Sequence, residues 1–147
     1  MDVKLNGEFS DNCVLIRNSH KQYIKNAKPL PAAFSPDGGM STDWDKYTTP
    51  EESLARIGLT TKINGELKNT DFFNLFGLKV GDIKMIEGVN SIDFTPIFHN
   101  PQIYGKPNNP SHSDVHYVDV ELRLKFSEIA FPINVDRSAV SLIISQS

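Results

Sequence analysis

Three polar residues spaced two apart, His112, Asp114 and His116, carry the most suggestive chemistry in the sequence. Side chains on a β-strand repeat every two residues, so such a trio shares one face, with neighbours about 6.5–7 Å apart. That separation suits two ligands of one metal ion, or an acid/base pair flanking a small substrate. A metal held by His112, Asp114 and His116 would draw a further ligand from His99 or Asp93. The competing role is structural, because histidines at strand ends are commonly half-exposed or hydrogen-bonded to nearby backbone.

Arg17 is a second candidate. It closes the apolar run Val14-Leu15-Ile16, and its guanidinium fork matches a carboxylate or a phosphate. A salt bridge at a sheet end is the structural alternative, and His20 reads as part of a surface turn. In Asp37-Gly38-Gly39-Met40-Ser41-Thr42-Asp43 the paired glycines allow backbone N–H groups to form an anion nest. The run lacks a Gly-Lys-Ser/Thr ending, and two aspartates repel an anion, so a plain turn is expected. Cys13 sits in an apolar run and reads as a core residue. No Gly-x-Ser-x-Gly elbow, His-Glu-x-x-His motif or dinucleotide fingerprint occurs, and no cofactor is implied.

These residues need a scaffold. From Ser113 to Phe126, Val118, Val120, Leu122, Leu124 and Phe126 alternate with Asp119, Glu121, Arg123 and Lys125, the pattern of a half-buried strand. Even positions then point inward, which places His112, Asp114 and His116 on the core-facing side. A slip of one residue would turn all three outward. Val14–Arg17, Leu78–Val80, Ser91–His99 and Ala139–Ile144 read as further extended segments, with Pro96 arguing for an edge. Met40–Trp44 reads as a short strand or a turn. Asn-Gly pairs predict hairpins at Lys4–Phe9 and Lys62–Leu67.

The best helix is Pro50–Ile57. Thr49 and Glu52 form a capping box, Pro50 takes the first helical position, and Gly58 is the expected C′ residue. Shorter helical turns are expected at Asp71–Phe76, ended by Gly77, and at Ile83–Ile86. Lys28–Gly39 and Asn100–Ser111 read as loops. Together these predict a single domain over residues 1–147, of the α+β class, with a mostly antiparallel sheet and one or two short helices.

Composition bounds the function classes. Nine Phe, four Tyr and one Trp in 147 residues need a packed core, which excludes a disordered chain. A net charge of −3 without any Lys/Arg block disfavours broad binding to duplex nucleic acid. The single cysteine excludes an internal disulfide and a multi-cysteine zinc site. There is no apolar leader core, no run approaching about 18 apolar residues, and no Asn-x-Ser/Thr acceptor with a non-proline centre. A cytoplasmic location with no membrane contact is the expectation.

Val14-Leu15-Ile16-Arg17, Ala33-Phe34-Ser35-Pro36, Met40-Ser41-Thr42-Asp43 and Thr49-Pro50-Glu51-Glu52 occur in that order. The series resembles the front half of a group of small uncharacterised bacterial proteins. Those have an arginine-bearing strand, an Ala-Phe-x-Pro segment, a Leu-Ser-x-Asp-like segment and a Thr-Pro-Glu-Glu helix start. Their later half carries a lone histidine entering a final apolar strand, matched here by His116. Asn100–Ser111 and the tail after Phe126 have no counterpart. The resemblance implies Arg17, Ser41 and His116 as site residues and brings no reaction with it.

Three functions compete on these grounds. The first is a protein-interaction module acting beside a partner protein, which an exposed apolar patch would support. The second is a small enzyme acting on a nucleotide or RNA phosphate group. Arg17 would hold the phosphate, His116 would act as general acid or base, and Ser41 would donate a hydrogen bond, so the three should line one pocket. The third is metal binding by His112, Asp114 and His116.

Overall fold

The computed structural model describes residues 2–147. In chain order its elements begin with strands β1 (Lys4–Asn6), β2 (Val14–His20), β3 (Ile24–Lys25), β4 (Lys28–Pro29) and β5 (Met40–Trp44). Helix α1 (Pro50–Gly58), strand β6 (Phe73–Lys79), helix α2 (Val80–Lys84) and strands β7 (Ser91–Phe94) and β8 (His112–His116) follow. Helix α3 (Arg123–Ile129), strand β9 (Phe131–Ile133) and helix α4 (Arg137–Ser145) end the chain. Seven strands form one sheet in the order β1-β7-β8-β5-β2-β6-β9, and β3 pairs with β4 separately. Every neighbour in the large sheet is antiparallel except β1 beside β7. The class is therefore α+β with a mostly antiparallel sheet, carrying four α-helices among the described residues rather than one or two.

Both faces of the sheet bury apolar side chains. On the first face Leu15, Met40, Trp44, Leu78, Ile92 and Val115 pack against Val80 and Ile83 of α2 and Phe126 of α3. On the second face Ile16 and Leu75 pack against Leu54, Ala55 and Ile57 of α1 and Val140 of α4. Helix α1 rests on β2, β6 and α4, so the helical cover of this face is concentrated over one end of the sheet. The second faces of β5, β8, β7 and β1 carry polar side chains instead. Among the described residues, no helix is long and apolar enough to cross a membrane.

The capping box of α1 is present: Glu52 N–H donates to Thr49 Oγ1 at 3.1 Å, and Thr49 N–H donates to Glu52 Oε1 at 3.0 Å. Gly58 is not its C′ residue, because the helix includes it and Leu59 caps the end. A Cβ at Gly58 would lie 2.6 Å from Ile144 Cδ1, so this glycine admits α4 instead.

Several extended segments are placed differently. The strand expected from Ser113 to Phe126 stops at His116. Asp119 then caps a 3-10 turn, accepting from Glu121 N–H at 3.0 Å, and α3 follows. Leu122, Phe126 and Ile129 recur at helical spacing and pack into the core, leaving Val118, Val120 and Leu124 exposed. A stretch whose apolar residues fit both periods is decided by its surroundings. Ala139–Ile144 is likewise helical, capped by Asp136, which accepts from Ser138 N–H and Ala139 N–H. Ser138 Oγ also donates to Asp136 Oδ1 at 2.7 Å, and that bond, with the backbone ones, holds the Asp136 carboxyl below its usual range.

Phe73–Lys79 is a strand rather than a helical turn. It is buried on both faces, which erases alternation. Lys4–Phe9 is no hairpin, since β1 pairs in parallel with β7. The Lys62–Leu67 turn does close, with Lys62 N–H donating to Glu66 O at 2.7 Å and a bridge from Thr61 to Leu67.

Candidate active site

His112, Asp114 and His116 share one face of β8, as their spacing requires, but it is the face turned away from the first core. Ser113 and Val115 are fully buried between them, while the three polar residues are half-buried. The inward assignment fails because the alternation that set its phase, from Val118 onward, runs through an irregular stretch, a 3-10 turn and then α3 rather than a strand. Register fixes their neighbours: Asp43 stands opposite His112, Ser41 opposite Asp114, and on the other side Asp93 opposite Asp114 and Ser91 opposite His116.

The surroundings of His112 define its proton inventory. Its Nδ1 lies 3.0 Å from the Thr95 carbonyl oxygen and 2.9 Å from Thr95 Oγ1. A carbonyl can only accept, so the neutral ring carries its proton on Nδ1 and leaves Nε2 bare. Ser41 Oγ sits 3.2 Å from Nε2 and therefore donates to it. Asp114 Oδ1 lies 3.6 Å from the same nitrogen, placed to balance a proton arriving there. Thr95 Oγ1 also donates to Asp114 Oδ2 at 3.4 Å. A hydroxyl, a base with a bare nitrogen, and groups orienting the base together form the arrangement that activates a serine nucleophile.

His116 belongs to a separate pair. Its Nε2 is 3.0 Å from Asp93 Oδ2, and Asp93 also accepts from the Asn6 side-chain amide and, at 3.4 Å, from Ser91 Oγ. Gly39, at φ +95°, lies against the His116 ring, and a Cβ there would approach Cε1 to 2.8 Å. His112 and His116 are four strand positions apart, about 13 Å along β8. Each imidazole has its own carboxylate. Among the described residues, no group of three His, Cys, Asp or Glu is placed to hold a metal ion.

Arg17 faces the first core, on the opposite side of the sheet from His116. Its Nε donates to Ala33 O at 3.0 Å and its Nη1 to Ser41 O at 2.9 Å. Burial lowers its pKa, partly opposed by the neighbouring Tyr117. Tyr117 Oη donates to Phe34 O at 2.5 Å. Its own pKa is pushed up to about 12, chiefly by burial, with Arg17 and Arg123 opposing and Asp37 adding. Arg17 thus braces the backbone of Ser41 from behind. Arg17, Ser41 and His116 do not line one pocket.

Ser41 and His112 instead open into a cleft of about 360 Å³, whose lining includes Asn18, Arg56, Lys68 and Asn109. Its floor is a polar network around Asp43, whose other members, Arg56, Thr48, Ser53, Asn109 and Ser111, the sequence did not single out. Arg56 Nη2 meets Asp43 Oδ2 at 3.2 Å and donates to Thr48 Oγ1 at 2.8 Å and Ser111 Oγ at 3.1 Å. Asp43 also accepts from Ser53 Oγ at 2.5 Å and Asn109 Nδ2 at 2.7 Å. This network ties α1 and the loop before β8 to β5, fixing the walls on either side of Ser41. Comparison with family models, with curated proteins and with solved structures finds no match for this chain.

Proposed function

We propose that this chain is a small enzyme that cleaves or transfers an ester, acyl or phosphoryl, with Ser41 as nucleophile and His112 as general base. The 3.2 Å approach of Ser41 Oγ to the bare Nε2 of His112, inside a cleft of ligand size, carries this reading. Ser41 gives its proton to His112 Nε2 while Oγ bonds to the ester carbon or phosphorus. Asp114 balances the imidazolium. The bond to the leaving oxygen breaks, and that oxygen takes the proton from Nε2. Water then repeats the sequence, giving a proton to His112 and displacing Ser41. The Asn18 side chain lines the same cleft and is the candidate donor to the developing oxyanion.

Relative to the phosphate-directed enzyme expected from sequence, Ser41 becomes the nucleophile and His112 replaces His116 as the base. Arg17 becomes a brace. The test is a fluorophosphonate probe followed by peptide mass spectrometry. One adduct on Ser41 is expected, lost in Ser41→Ala and slowed about a hundredfold or more in His112→Ala. A probe that leaves Ser41 unmodified, or that labels His112→Ala as fast as the parent chain, overturns the proposal.

A second reading, the interaction module beside a partner protein, is favoured by one observation. Val118, Val120 and Leu124 are 83%, 51% and 53% exposed around α3, and Val120 and Leu124 line an open hollow of about 540 Å³. A protein captured by the parent chain and lost with Leu124→Asp supports it. Equal capture by both chains counts against it.

A further inference from the structure

Resting on the Ser41–His112 reading, we infer that the ester is anionic and that Lys68 receives its charged group, a phosphate or a carboxylate. The argument is a charge census of the cleft. Of its lining residues, Arg56, Lys68 and Asp43 carry formal charge. Arg56 and Asp43 cancel across 3.2 Å. The Asp43 carboxylate is further committed to Ser53 and Asn109. Lys68 has no such counterpart: among the described residues no carboxylate lies within 4.0 Å of its ammonium. The nearby acids have other positions. Glu66 sits 3.9 Å from Lys62, and Asp114 lies beside His112 Nε2.

Among the lining residues, Lys68 is therefore the one cation with no carboxylate within 4.0 Å, while the Asp114 carboxylate stays with His112 Nε2. Lys68 is half-buried there, where partial removal of solvent strengthens attraction to an anion. A substrate holding its ester at Ser41 and a negative group within reach of Lys68 satisfies both halves of the cleft. A neutral ester leaves the ammonium unpartnered.

The experiment measures protection of Ser41 from the fluorophosphonate probe by inorganic phosphate and by succinate, at constant ionic strength. Protection by one of them is expected, and which one identifies the group. The inhibition constant should rise about tenfold in Lys68→Met, the loss of one charge-assisted hydrogen bond, and return in Lys68→Arg. Labelling that neither anion slows, or protection equal in Lys68→Met, overturns the inference while leaving the nucleophile assignment standing. Amide chemical shifts of Ser41, Lys68 and Asn109, titrated with the same anions, read the site without the probe. Absence of any shift overturns the inference even in a chain whose serine does not react, so the two readings fail separately.

Discussion

Seventy-one positions separate Ser41 from His112 in the chain. Their meeting depends on the β5–β8 ladder, which sequence spacing does not reveal. What spacing did carry was local: His112, Asp114 and His116 share a face because a strand has no other geometry for residues two apart. The identity of that face depended on a phase taken from residues beyond the strand. Arg17 illustrates the opposite limit. Its type is compatible with a phosphate, but two backbone carbonyls and Tyr117 occupy its surroundings. Tyr117 is a group whose titration bears on stability in the alkaline range. Its folded pKa, about 12, lies above the ordinary tyrosine value of about 10. The stabilisation of its neutral form is complete below pH 10 and fades as pH rises toward 12. Urea melts of the parent chain should weaken across that window, and Tyr117→Phe should flatten the dependence. An unchanged slope in the variant would remove Tyr117 from the account.

Among the elements, α1 was legible because its signals are contained within it. A threonine cap, a proline and a glutamate at the third position fix the helix start without reference to the rest of the fold. Helices α3 and α4 read as strands because each is short and rich in β-branched or alternating residues, and their burial depends on the sheet beneath. The pairing of β6 with β9 shows how a glycine can be misread. Gly77 does not end a helix. It stands opposite Phe131 across the ladder, and the aromatic ring occupies the space where a Cβ would be. Gly77→Ala should destabilise by about 1–3 kcal/mol, the usual cost of overpacking. Phe131→Leu in the same chain should recover part of that loss in a double-mutant cycle measured by urea unfolding. Strict additivity of the two substitutions would refute the steric account.

For the molecule as a whole, the class was readable from short extended runs and one capped helix. The strand order was not, because the order β1-β7-β8-β5-β2-β6-β9 unites segments from both ends of the chain. The division of labour across the sheet follows from that order. Helices α1 and α4 serve β2 and β6, while β5, β8 and β7 present Ser41, His112, Asp114, Asp93 and His116 on a surface those helices do not bury. The proposed chemistry therefore sits where apolar cover gives way to a polar platform, with the Arg56–Asp43 network at the boundary.

The two rims of this sheet have a consequence of their own. One is β1, three residues long; the other is β9, also three residues, with Pro132 at its centre. A proline has no amide hydrogen to offer, and so short a strand gives an incoming chain little to zip against. Copies of this protein are thereby discouraged from growing edge to edge into fibrils through the main chains of this sheet, which favours assembly through side-chain surfaces.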